Sequence, residues 1–367
     1  MISRRDFLRL TATMAAVGGA RPPGALAALS TKASTGAPLG VALLGLGRYA
    51  GGELAPALQE TKRCKLVGVV SGHPEKANAW AAKYNLPLKN IYNYENFDSI
   101  AHNPDIDIVY VVTPPGTHRE FVTRAAKAGK HVISEKPLAT SVADCDAMIA
   151  ACAAAKVRFS VGYRLFFDPY HTELRRLARD QDFGVLKRLS GDRGFIMRKP
   201  EWRIDKKLGG GGPMMDLGIY IIQGACMACN GETPVSVMAK ELPKQRPDFF
   251  TEVEEAMKFQ LVFANGAVCN AQASYNKNGA DQFRAEGDKG WIEFKQHAFT
   301  YKGIVAETSR GPLHYPPPFQ QALQMDDFAD CIVTGRATPV PGEMGKRDIR
   351  ILTAIYEAAA SGKRVVV

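Results

Sequence analysis

The stretch that most constrains this chain is the apolar run Leu39-Gly40-Val41-Ala42-Leu43-Leu44, which ends directly in Gly45-x-Gly47-x-x-Ala50. The run reads as a buried strand, and a helix opens behind the glycines. In that setting the first glycine makes a tight turn and the second lets backbone approach a pyrophosphate. Ala50 allows close helix packing, and the helix N-terminus attracts phosphate. The spacing alone is a weak signal; between a strand and a helix it is a strong one.

The pattern then repeats as strand, helix, strand. Cys64 to Val70 reads as a strand and Pro74 to Tyr84 as a helix. Ile106 to Thr113 is a strand ended by Pro114-Pro115. Thr117 to Lys127 is helical and closes at Gly129, and His131 to Ser134 is a strand. Ser141 to Lys156 is a helix with Ser141 as N-cap, and Phe159 to Tyr163 adds a last strand. This alternation predicts a doubly wound parallel sheet, a Rossmann domain over residues 39–163.

After Tyr163 the texture changes. A helix over Asp168 to Arg179 precedes alternating strands at Val185 to Met197, Val235 to Leu242, Glu252 to Phe263, Ala267 to Tyr275, Gln282 to Glu286 and Trp291 to Phe294. Asn265-Gly266 and Gly287-Asp288-Lys289-Gly290 read as hairpin turns. Gln320 to Thr334 and Glu343 to Ser361 close the chain as helices. Residues 164–367 are thus expected to form an α+β domain for substrate and dimerisation, with a large, mostly antiparallel open sheet. Its C-terminal helices are free to pack back on the first domain. An open sheet with helices on one face leaves the other face to a second subunit, so a homodimer is expected, a tetramer being the larger alternative.

Three features carry chemistry. The first is the end of the second strand, Ser71-Gly72-His73, where an NAD enzyme places an acid for the ribose hydroxyls. The nearest acid is Glu75. Ser71 can hydrogen-bond a 2′-phosphate, and Arg48 and Lys76 can supply charge, which favours NADP; the alternative is a solvated turn with incidental basic residues. The second is Ser134-Glu135-Lys136-Pro137. Pro137 cannot donate to a sheet ladder, so Glu135 and Lys136 fall at the strand's carboxyl rim, where open α/β sheets bind ligands. A lysine there can carry a proton or fix a positive charge beside a proton carrier. Taken alone, the pair is a surface ion pair at a turn. The third is Gly209-Gly210-Gly211-Gly212 followed by Pro213 to Tyr220. The glycines would let backbone approach a ligand, and Asp216 and Tyr220 share a helical face, as an acid and a phenol for proton transfer.

The N-terminus reads as a signal rather than as fold. Ser3-Arg4-Arg5-Asp6-Phe7-Leu8 opens a twin-arginine export signal. Its apolar run to Ala20 is too short for a membrane span, and Ala25-Leu26-Ala27 supplies a cleavage site. Residues 1–27 are the signal and 28–38 a flexible arm, so the expected location is the periplasm. Such export carries folded proteins with cofactor already bound. The net charge of +10 is not gathered into basic blocks interleaved with aromatics, so nucleic acid is a poor partner. The seven cysteines are scattered. Cys226 and Cys229 resemble a redox or zinc pair, but they sit in an apolar helical run without accompanying histidines. They read as buried helical thiols, and no metal site is expected.

Together, Gly45 to Ala50, Glu135-Lys136-Pro137 and Asp216-x-Gly218-x-Tyr220 resemble the glucose–fructose oxidoreductase and inositol dehydrogenase family. The resemblance runs from about Leu39 to the C-terminus. Most members have histidine where this chain has Tyr220. The tyrosine, Val70-Ser71-Gly72, the run from Glu135 to Cys145, Gly162-Tyr163-Arg164 and Trp202-Arg203 are similar to the glucose–fructose and aldose–aldose branch. The resemblance implies catalysis by Lys136, Tyr220 and Asp216. It implies nucleotide contacts from Gly45, Gly47, Arg48, Tyr49, Ala50, Ser71, Lys76, Thr113, Pro114, His118, Glu135, Lys136, Trp202 and Arg203, and sugar contacts from Tyr163, Arg164, Asp216 and Tyr220. The arm at Ala28 to Pro38 is shorter than the proline-rich arm that wraps a partner subunit in glucose–fructose oxidoreductases, which fits an aldose–aldose enzyme better. The implied reaction oxidises an aldose at C1 to a lactone and reduces a second sugar to an alditol by ping-pong transfer on a tightly held NADP. A family-related glycosidase using transient sugar oxidation is the second reading, although it calls for an acid near Ser71 and a histidine at Tyr220. A non-catalytic sugar-binding relative is the third.

Overall fold

The computed structural model describes residues 36–317 and 319–367, so the expected export signal and nearly all of the expected arm lie outside the described residues. The first sheet contains β1 (Leu39–Leu44), β2 (Cys64–Val70), β3 (Ile91–Tyr92), β4 (Ile108–Val111), β5 (His131–Ser134) and β6 (Phe159–Val161). Their order is β3-β2-β1-β4-β5-β6, with parallel pairing throughout. This is the doubly wound order, and its switch point lies between β1 and β4. Every residue of β1 is buried, as a strand covered on both faces requires.

Helices α1 (Ala55–Glu60), α2 (Pro74–Tyr84), α3 (His118–Lys127) and α4 (Val142–Ala154) connect these strands. Alpha1 is entered through a wide π turn at Ala50–Leu54, and Ser141 caps α4 by accepting from Asp144 N at 3.1 Å. One expected boundary here moves for a local reason, and one strand was not expected. Beta4 begins at Ile108 rather than Ile106, because the buried Asp107 carboxylate accepts from Gly40 N at 2.7 Å. The two-residue strand β3 carries too little pattern to be legible.

The second sheet has nine strands: β7 (Leu186–Gly194), β8 (Ser236–Glu241), β9 (Ala256–Val262), β10 (Val268–Ser274), β11 (Asp281–Gly287), β12 (Trp291–Gln296), β13 (Val305–Thr308), β14 (Gly311–Pro312) and β15 (Val365–Val366). All neighbours are antiparallel except β7 and β10. The last three were not expected; β14 and β15 are two-residue strands at the two edges, and β13 is a four-residue strand just inside β14. Beta9 starts at Ala256 rather than Glu252, because Glu254 and Glu255 leave the ladder to accept loop hydrogen bonds. Glu254 takes the N–H groups of Gly212 and Met214, each at 3.0 Å, and Glu255 those of Gln245 and Arg246.

Alpha5 (Pro169–Arg179), α6 (Ile219–Ala228) and α8 (Gly342–Ser361) lie in this half, with α6 and α8 packed on one face of the sheet. Alpha7 (Gln320–Thr334) returns to the first domain. Its Ala322, Met325 and Phe328 share a core with Leu39, Val41 and Leu43. The opposite sheet face carries the register row Met238, Gln260, Asn270, Ser190, Arg284 and Glu293. That row is polar apart from Met238, so the face is not an apolar surface that demands cover. Cys226 and Cys229 are free, buried thiols at the end of α6, and burial pushes Cys226 up to about 12. No group of metal-ligating side chains occurs among the described residues, and none of their helices is long and apolar enough to cross a membrane.

Candidate active site

The carboxyl ends of β1, β4 and β5 open into a cleft facing the second sheet. Gly45 turns at φ +97°, and a Cβ there would stand 2.9 Å from Val112 O. Both facts require glycine. Gly47 has nothing within 4 Å of its Cβ position, leaving space in front of the backbone, and Ala50 is fully buried. The loop therefore fits a pyrophosphate.

A cavity of about 240 Å³ follows, lined among others by Tyr49, Thr113, Glu135, Lys136, Trp202, Arg203, Asp216 and Tyr220. Beta5 stops at Ser134, and Lys136 Nζ then reaches across the cleft. It donates to Asp216 O at 3.0 Å and lies 3.5 Å from Asp216 Oδ1. It also stands 4.2 Å from the centre of the Tyr220 ring. The three side chains singled out in the sequence are thus neighbours in the structure.

Their roles separate on electrostatics. Asp216 is held by Arg203 Nε at 3.0 Å and by Tyr275 Oη at 3.0 Å, besides Lys136. Burial pushes its carboxyl up, but Arg203, Lys136 and the Tyr275 hydroxyl more than offset this, leaving it at about 2. An acid that low is a fixed negative charge, not a proton carrier. Tyr220 behaves oppositely. Burial pushes the phenol up, yet Lys136, Arg164 and Arg193 more than offset this and hold it below its ordinary value. Glu135 is buried and raised by that burial, against the opposing pull of its Tyr110 hydrogen bond at 2.7 Å and of the Lys136 charge. Gly162 makes room for it, since a Cβ there would fall 2.5 Å from Glu135 Oε1.

Several predicted contacts lie elsewhere. Tyr163 is buried on the far side of α6 and borders a different cavity. Arg164 is buried behind Tyr220, donating to Phe299 O at 2.6 Å and Thr300 O at 3.1 Å. It acts on the phenol from behind and does not line the cleft. His118 is fully buried, with Nδ1 3.0 Å from Leu138 O and Nε2 2.7 Å from Thr113 O. It braces the rim that Thr113 and Pro114 form. Ser71 is buried at the end of β2, its Oγ accepting from His73 N at 3.1 Å, while Lys76 is exposed on α2. Neither lines this cavity. Arg48 bridges to Glu201 across the outer cleft. The glycine run also departs from expectation. Gly211 and Gly212 are small because the Tyr356 hydroxyl and the Glu254 carbonyl press on them, 2.0 and 2.3 Å from their Cβ positions.

Three residues escaped sequence reasoning. Arg193 on β7 lies 4.4 Å from the Tyr220 ring centre and pairs with Asp281 at 2.7 Å. Tyr301 stacks on Tyr49, their centroids 6.0 Å apart, and Tyr275 anchors Asp216. None belongs to a local motif; each arrives through sheet register or a distant loop.

A Rossmann domain whose cleft brings a lysine from the rim of its own sheet against a phenol on a helix of the second domain defines a nicotinamide-dependent oxidoreductase. The chain belongs to the GFO/IDH/MocA oxidoreductase family. Residues 39–163 match the family's NAD-binding Rossmann model and residues 171–293 its C-terminal domain. The crystal structure of an aldose-aldose oxidoreductase from Caulobacter crescentus is 41% identical, with TM-score 0.87, and the match covers 90% of this chain and all of that one. A D-xylose 1-dehydrogenase [NADP(+)] from Haloarcula marismortui is 25% identical over 90% of this chain and 94% of its own. A trans-1,2-dihydrobenzene-1,2-diol dehydrogenase from Xenopus laevis is 32% identical over 80% of this chain and 88% of its own.

Proposed function

We propose that the protein is a periplasmic, NADP-retaining sugar oxidoreductase that oxidises an aldose at C1 to a lactone and reduces a second sugar to an alditol. The observation that carries this reading is the buried Tyr220 phenol lowered by three cations beside the nucleotide loop. The similarity to an aldose-aldose oxidoreductase supports the choice of sugars. When bound, the nicotinamide supplies a hydride acceptor in one half-reaction and a donor in the other.

The chain's own residues handle the proton. Tyr220, as phenolate, accepts the C1 hydroxyl proton of the first sugar and returns it to the carbonyl oxygen of the second. Lys136, Arg164 and Arg193 stabilise that phenolate. Asp216 fixes Lys136 and Arg203 in place, so the charge that tunes Tyr220 does not wander. Ser71 with no acid beside it, and Arg48 and Lys76 nearby in sequence, support NADP over NAD. The twin-arginine motif supports export of the loaded, folded protein, and retention follows from the absence of a nicotinamide pool outside the cytoplasm. Self-association through the uncovered, polar sheet face belongs to the same proposal.

Tyr220→Phe tests it. The variant should keep its fold and bound nucleotide but lose roughly 10²- to 10⁴-fold in turnover, the usual contribution of a positioned acid–base group. Near-normal turnover would remove Tyr220 from the mechanism.

A further inference from the structure

Alpha6 presents Tyr220 to the cleft, and on its other side Gln223 and Met227 border a second cavity of about 250 Å³. That volume has room for roughly eight water molecules, too much for one inorganic ion. Its polar wall is cationic. Arg347 is paired with Asp348 at 2.7 Å and Arg179 with Asp180 at 2.9 Å. Arg175 has no carboxylate partner among the described residues. Its guanidinium stacks on the Phe166 ring at 3.7 Å and donates to Phe166 O at 2.7 Å, while its Nε is buried without a hydrogen bond. Arg179 adds like charge beside it, and burial and this neighbour both act against the Arg175 cation.

A half-buried guanidinium with no counter-ion is costly unless an anion joins it. The same wall also holds Tyr163, which is 1% exposed, with its hydroxyl turned toward Asp348 and Gln223. The remaining wall includes the Asn230 amide and the apolar Met227 and Met344 side chains. Gln223 Nε2 donates weakly to Asp348 Oδ2 at 3.4 Å. A charge to be neutralised, two amides at the wall and a short apolar surface describe one ligand class.

We propose that this cavity is a second binding site, separate from the cleft, for a small hydroxycarboxylate whose carboxylate pairs with Arg175 and whose hydroxyls meet the Gln223 and Asn230 amides. Guanidinium suits a carboxylate through charge-assisted hydrogen bonds. The site needs no sugar turnover, so its test is independent of the reaction proposed above.

Sodium gluconate titrated calorimetrically into the purified protein, at ionic strength held constant with sodium chloride, should show saturable binding. Arg175→Gln should weaken it by roughly tenfold or more, the usual effect of losing a hydrogen bond to a charged group. Met344→Trp, which fills the cavity from its apolar side, should abolish binding and decides the matter if Arg175→Gln does not fold. Lys136→Met, in the catalytic cleft, should bind gluconate as the parent does. Absence of saturable binding, unchanged affinity in the two cavity variants, or loss of binding in Lys136→Met would overturn the proposal.

Discussion

Removing the Lys136 charge should move the pH dependence of the enzyme rather than merely scale its rate. Its Nζ stands 4.2 Å from the centre of the Tyr220 ring. At the effective dielectric suited to protein sites, unit charges at that separation interact by about 4 kcal/mol, or about 3 pKa units. Two features shrink this. Asp216 Oδ1 lies 3.5 Å from the same Nζ and sets an opposite charge against it. Arg164 and Arg193 also remain over the ring after the change, at 5.3 and 4.4 Å. Against that pairing, Lys136→Met should raise the Tyr220 pKa by about 1–2 units. The sign follows from the active form. Phenolate accepts the proton, so activity rises as pH climbs through the Tyr220 pKa, and a higher pKa moves that rise to higher pH. The assay is kcat/KM for lactone formation from a saturating series of aldose, measured across pH. The rising limb should shift by that amount, so that part of the loss at neutral pH is recovered in alkali. A uniform loss with an unmoved limb would refute the electrostatic argument and leave Lys136 only as a substrate-placing group.

Two further changes probe the nucleotide side. Gly45→Ala forces a side chain into a positive φ and against Val112 O, which should cost about 1–3 kcal/mol and lower both the melting temperature and the nucleotide content of purified protein; an unchanged melt would show that the loop relaxes freely. Ser71→Asp places an acid where NAD enzymes hold the ribose and repels a 2′-phosphate, so nucleotide released on denaturation should change from NADP to NAD, and unaltered NADP content would remove Ser71 from the selection.

How much was legible in the sequence depended on how local the signal was. Buried β1, the turn at Gly45 and the stop at Pro137 are written in neighbouring residues, and so the Rossmann half and Lys136 could be placed. Asp216 and Tyr220 could be paired because helical spacing puts them on one side. Their different roles could not be read, because Arg203, Tyr275 and Arg193 reach them from elements fixed only by tertiary packing. Tyr163 and Arg164 show the same limit. They are adjacent in sequence, yet one faces the rear cavity and the other supports the phenol from behind. The glycine run misled for a related reason. Glycine reports that something comes close, and here it is Glu254 and Tyr356.

The central claim is that one retained cofactor is reduced by one sugar and reoxidised by another. The most direct measurement is the absorbance spectrum of protein purified without added nucleotide. Adding an aldose should raise the reduced-nicotinamide band, and a second, acceptor sugar should then remove it without any free NADP. Protein that purifies free of nucleotide, shows no such band and turns over only while NADP is supplied would contradict the account.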